Sequence, residues 1–168
     1  WLETNGALFV PSRLPEAEVS QSLHENLPIV VTDFRAMNLR VRTEIFGAEQ
    51  ADGSEYIVEQ IMVENPTPAP RQAMLYVSIR PFNPEGVSLV KKIEYRNAAV
   101  FVNDSLGALL PPPGAVACSH FEEGDVALAL PALNGRTRVV DDAGLATGIA
   151  AYRLALAPGE SQTLAVFM

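Results

Sequence analysis

Two histidines, one cysteine and several short acidic runs are the residues of this sequence with the chemistry of a reactive site. Cys118 stands two positions before His120, and side chains at i and i+2 of a strand share a face, so a thiol–imidazole pair is geometrically allowed. His120 is followed by Glu122, Glu123 and Asp125, a set that could serve acid–base or metal chemistry. Each feature has a plainer reading. The run Val116-Ala117-Cys118 has the apolar character of a core strand, where a thiol is buried and inert. The acids after His120 fit an exposed turn. Asp141-Asp142-Ala143-Gly144 lacks the repeated Asp/Asn spacing of a calcium loop and fits a β-turn. His24 is far from His120, and neither has a partner at metal-ligand spacing. No Gly-x-Ser-x-Gly elbow and no phosphate-binding glycine loop occurs. We therefore assign no catalytic residue, no metal site and no cofactor. Asn103-Asp104-Ser105 matches a glycosylation sequon but also reads as turn chemistry.

A binding group is easier to place. Arg80, Phe82 and Asn83 lie in Arg80-Pro81-Phe82-Asn83-Pro84, where two prolines fix the backbone around one aromatic ring. Exposed, Phe82 could stack on a sugar ring or on a neighbouring domain; buried, it would plug the end of a sheet.

The elements that must position these residues are strands. Val58, Gln60, Met62 and Glu64 alternate with Ile57, Ile61 and Val63, and Leu75, Val77 and Ile79 alternate with Tyr76, Ser78 and Arg80. Between the two runs, three prolines at positions 66, 68 and 70 prevent either ladder from extending. Met37, Leu39, Val41, Thr43 and Ile45 form a further core-facing set, with a turn between Gly47 and Gly53. Short strands are also predicted at Gly6–Val10, Val90–Asn103 with a bend at Ala98-Ala99, Ala115–Ser119, Val126–Leu130, Thr137–Val140, Ile149–Leu156 and Thr163–Phe167. The last two form a hairpin around Ala157-Pro158-Gly159-Glu160. The single predicted helix covers Pro15–Leu27, from the four-residue recurrence of Val19, Leu23 and Leu27. The pattern predicts an all-β, two-sheet antiparallel sandwich with at most one short helix near its start.

The sequence has 168 residues, 48% of them hydrophobic, enough for one domain over 1–168. The net charge of −8 argues against nucleic acid and anionic membrane surfaces as partners. No apolar run approaches the ~20 residues of a spanning helix. One cysteine excludes an intrachain disulfide and favours a cytoplasmic setting without establishing a location. A start at Trp1 and a strand-like end, LAVFM, suggest a piece of a longer polypeptide.

Two stretches carry a family resemblance: Val63-Glu64-Asn65-Pro66-Thr67 with Leu75 to Pro84, and Gly144 to Gly148 with Tyr152 to Ser161, including Leu156-Ala157-Pro158-Gly159-Glu160-Ser161. They resemble the β-sandwich that precedes the (α/α)6 barrel in glycogen-debranching-like bacterial glycosidases. The family's catalytic carboxylates lie on the helical barrel, so the resemblance transfers none to this sequence. It implies a non-catalytic accessory domain whose partner is a neighbouring domain of the same chain. Polysaccharide and a second copy of the chain are the other candidate partners. The alternative is a free-standing carbohydrate-binding module, against which stands the low aromatic content of 7%.

Overall fold

A computed structural model describes all residues except 16, 17, 84, 85 and 131, and describes Asn83 by its backbone alone. The described chain is all-β. In order it forms β1 (Leu2–Thr4), β2 (Ala7–Phe9), β3 (Val19–Leu23), β4 (Val30–Ala36), β5 (Leu39–Glu49), β6 (Glu55–Glu64), β7 (Arg71–Ile79), β8 (Phe82–Asn83) and β9 (Gly86–Val87). There follow β10 (Lys92–Arg96), β11 (Ala99–Val102), β12 (Ser105–Leu109), β13 (Ala115–Ser119), β14 (Arg138–Val140), β15 (Thr147–Leu156) and β16 (Ser161–Phe167). Antiparallel pairing sorts them into sheets of nine and five strands, the ingredients of a β-sandwich, plus a two-residue hairpin. Among the described residues no helix is long and apolar enough to cross a membrane.

The chain divides into two compact units, Trp1–Leu75 with Arg153–Met168, and Tyr76–Tyr152. In the first, β3, β4, β5, β6 and β16 pair in that order. One face is the core: Phe34, Val41 and Val63 align across three strands, with Leu39, Ile61 and Val166 buried beside them. Burial fades along this face. On β6, Val63 and Ile61 are buried, Glu59 is half-buried and Ile57 is exposed. On β5, Leu39 and Val41 are buried, Thr43 is half-buried and Ile45 is exposed. The opposite face carries charges, Arg40–Glu64 at 3.6 Å and Arg42–Glu44 at 2.8 Å. It also carries a small apolar row in which Phe46, Val58 and Phe167 lie directly opposite one another.

Asn65 ties this unit together. It is fully buried, and its amide donates to the carbonyls of Ala69 (2.9 Å), Leu156 (3.1 Å) and Ala157 (3.1 Å). Its side-chain oxygen accepts from the Thr67 backbone N–H (3.1 Å) and hydroxyl (2.7 Å). Asn65 N–H donates to Glu160 O and Gly159 N–H to Asn65 O. The Asn-Pro-Thr turn and the Pro-Gly-Glu turn, quoted above for their resemblance, are thus bonded to each other.

In the second unit, β10, β11 and β12 form a meander, β14 pairs with β10, and β13 pairs with the first half of β15. Two-residue turns with positive φ at both positions join it: Asn97 (51°) and Ala98 (58°), then Asn103 (50°) and Asp104 (68°).

Four sequence expectations are corrected. Val90–Asn103 is not one strand bent at Ala98-Ala99 but the hairpin of β10 and β11, which turns at Asn97-Ala98. Val19–Leu23 is a strand paired with β4, not part of a helix over Pro15–Leu27 (residues 16 and 17 of that span lie outside the described residues). An i, i+4 recurrence also keeps side chains on one face of a strand, because four is an even spacing. Val126–Leu130 is a 3-10 turn over Val126–Ala129, not a strand. The Asp125 carboxylate accepts from Ala127 N–H, and the Thr147 hydroxyl accepts from Val126 N–H, so these donors are taken before a ladder can use them. Met37 does not face the core: it sits in the β4–β5 turn with φ 54° and is exposed.

Candidate functional site

β7 delivers Arg80 to the start of the loop, and Pro81 follows, buried, with its carbonyl accepting from Ser88 N–H at 3.0 Å. That bond closes a miniature hairpin in which Phe82 pairs with Val87 and Asn83 with Gly86. Gly86 sits at φ 132°, a conformation L side chains rarely adopt. The hairpin presents Phe82 to solvent, 58% exposed, with Val87 opposite it equally exposed. The end-plug role is therefore not the one Phe82 takes.

The ring is braced from one side. Arg80 Cζ lies 5.3 Å from the Phe82 centroid, within cation–π range. The same guanidinium donates through Nε to Asp125 Oδ2 at 2.8 Å and through Nη2 to the same oxygen. Asp125 in turn caps the 3-10 turn that exposes Leu128, 78% accessible. The Arg80–Asp125 pair is partly desolvated. Of the three predicted binding residues, the structure gives Arg80 and Phe82 a shared surface, while the side chain of Asn83 lies outside the described residues. Sequence reading missed Asp125 as the third member, because it enters from 45 positions away.

The candidate reactive residues take structural roles. Cys118 is fully buried on β13 opposite Gly148, and burial pushes its thiol up to about 12. His120 Nε2 lies 3.3 Å from Glu123 Oε1, and Arg136 grips Glu123 with two hydrogen bonds of 2.6 and 2.9 Å. Those bonds hold the Glu123 carboxyl down at about 2. The Asp141 carboxylate is buried and accepts from the N–H groups of Phe121 (2.9 Å), Ala143 (2.9 Å) and Leu145 (3.2 Å), so it shapes its own turn. Asn103 of the sequon is likewise engaged: its oxygen accepts from Lys91 and Lys92 N–H and its amide donates to Leu89 O. Among the described residues no three His, Cys, Asp or Glu side chains are placed to hold a metal ion. No family model matches the sequence, and no curated protein matches it.

Proposed function

We propose that this chain is a non-catalytic accessory β-sandwich module of a carbohydrate-active enzyme, which acts by packing against a neighbouring domain. The observation that carries the reading is the Arg80–Phe82–Asp125 surface. An aromatic ring held in solvent by a neutralised, half-buried Arg–Asp pair has the composition of a contact centre, with aromatic and arginine anchors beside apolar neighbours. The candidate nucleophile and acids, by contrast, are spent on packing and turn structure. The link to carbohydrate enzymes rests on the resemblance of the Asn65 and Pro158-Gly159-Glu160 turns, which are bonded to each other.

A second reading, a free carbohydrate-binding module, is favoured by the same exposed Phe82, whose ring offers an apolar platform for the C–H face of a neutral sugar. Affinity electrophoresis through starch, glycogen and β-glucan gels separates the two. The packing module migrates without retardation, yet binds the apolar dye ANS, with a signal that falls in Phe82→Ser. Retardation on one polysaccharide, lost in Phe82→Ala, would establish the binding module instead. Neither retardation nor dye binding at Phe82 would remove both readings.

A further inference from the structure

The core face of the sheet in the unit Trp1–Leu75 with Arg153–Met168 runs on into solvent. Leu23 pairs with Val30, Val30 with Ile45, and Ile45 with Glu59, so these four side chains share one row of the face. In the next row Gly47 pairs with Ile57 and in the one beyond Glu49 pairs with Glu55. Leu23, Ile45 and Ile57 are 59%, 38% and 49% exposed. Gly47 leaves open space where a Cβ would stand, and the shallow depression there is lined by Glu49, Glu55 and Ile57. An apolar sheet face of this kind is ordinarily covered by a packed element.

The surrounding charge says what kind of element. Residues 44–59 contain Glu44, Glu49, Asp52, Glu55 and Glu59 and no lysine or arginine. The strands and turn over 19–31 add Glu25 and again no lysine or arginine. Glu49 and Glu55 are directly opposed, a like-charge cross-strand pair that costs stability in an isolated sheet and is relieved by a cation laid across it. Glu59 is half-buried in the apolar row, and burial pushes its carboxyl upward against the pull of the Trp1 ammonium. Adjacent strands are ~4.8 Å apart, so the row from Leu23 on β3 to Glu59 on β6 spans roughly 14 Å. About three turns of α-helix match that length.

We propose that this overhanging face is the seat of a basic amphipathic helix, whose apolar stripe covers Leu23, Ile45 and Ile57 and whose lysines or arginines reach Glu49, Glu55 and Glu59. The inference rests on the accessory-module reading in one respect: the helix belongs to the partner domain. It is independent of the Phe82 surface.

The probe is a 14-residue Leu/Lys amphipathic peptide, titrated against the intact chain, with its Leu/Glu counterpart as the charge control. Trp1 is the single tryptophan, and a change in its fluorescence on titration supplies the binding signal. Isothermal titration supplies the stoichiometry. The expected result is saturable one-to-one binding of the Leu/Lys peptide and none of the Leu/Glu peptide. Affinity should fall at least tenfold in Ile57→Ser and in the double variant Glu49→Gln/Glu55→Gln, and stay unchanged in Glu122→Gln. Equal binding by all variants would overturn the proposal as mere net-charge attraction, and equal binding by both peptides would overturn it as charge-indifferent apolar adsorption. Concentration-dependent dimerisation abolished by Ile57→Ser would overturn it in favour of a second copy of the chain. Absence of binding overturns the helix while leaving the Phe82 dye experiment to decide the accessory role.

Discussion

Tyr95 carries the one buried side-chain polar atom, among the described residues, that lacks a hydrogen-bond partner. Its hydroxyl lies against Gly148, where a Cβ would approach it to 3.0 Å, and burial drives its ionisation far up the scale. A buried hydroxyl without a partner costs about 1–3 kcal/mol. Tyr95→Phe removes the orphan atom without opening a cavity, so it should leave stability unchanged or raise it by ~1 kcal/mol. Equilibrium urea unfolding measures this, and a clear loss would show that the hydroxyl has a partner in solution. At the same scale lies the difference between available and usable chemistry. Cys118 and His120 do stand at the spacing of a nucleophile and base, but the thiol is fully buried and the imidazole pairs with Glu123. Residue type and spacing report what chemistry is available; burial decides whether it is used.

At the scale of elements, period-2 alternation made β5, β6 and β7 legible, because a strand with one buried face must alternate. The errors came where that signal is degenerate. Val19, Leu23 and Leu27 suit either a helix face or a strand face, and the short run from Val126 carries no period at all. The Arg80–Phe82 loop was legible as a fixed turn around one aromatic, since flanking prolines limit the backbone, but which way the ring faces was not; nor was its partner Asp125, because long-range ion pairs leave no local trace. Asn65 illustrates the same divide. Its place in a turn is readable from Asn-Pro-Thr, whereas its bonds to Leu156 and Ala157 span 91 and 92 positions. Asn65→Ala would strand three carbonyls and the Thr67 N–H, and we expect a loss of ~2–4 kcal/mol. Asn65→Asp should be no milder, since a carboxylate cannot donate to those carbonyls. A loss below ~1 kcal/mol in urea unfolding of either variant would mean that water replaces these bonds readily.

For the whole molecule, the all-β class followed from the sequence, and the division of charge gives it a defined pH response. Glu123 has its carboxyl held down, chiefly by the Arg136 hydrogen bonds, so its stabilisation is present above the ordinary carboxylate range. That stabilisation is lost as pH falls toward about 2. Cys118 and Tyr152 behave oppositely: burial pushes both up to about 12. An unfolded chain would release those protons earlier, near ~8.5 for the thiol and ~10 for the phenol. Stability should therefore be flat through neutral pH and fall as pH rises from ~9 toward 12. Urea midpoints taken across this range test both limbs. Arg136→Gln should remove the Glu123 contribution to the acid limb without altering the alkaline one. A midpoint indifferent to pH above 9 would place Cys118 and Tyr152 in water.

The joining of Asn65 to Leu156, Ala157 and Glu160 also sets a clock. β6 receives one neighbour, β5, from the residues just before it, but its other neighbour is β16. On a ribosome adding ~5–20 residues per second, the 91 residues between Asn65 and Leu156 correspond to roughly 5–20 s. Throughout that interval one flank of β6 has no ladder partner from β16, and the Asn65 amide waits for two of its three acceptors. A strand edge left open for seconds is the setting in which nascent chains pair wrongly with one another. The three prolines at positions 66, 68 and 70 occupy the end of that edge, where they deny an intruding strand the donors it would need.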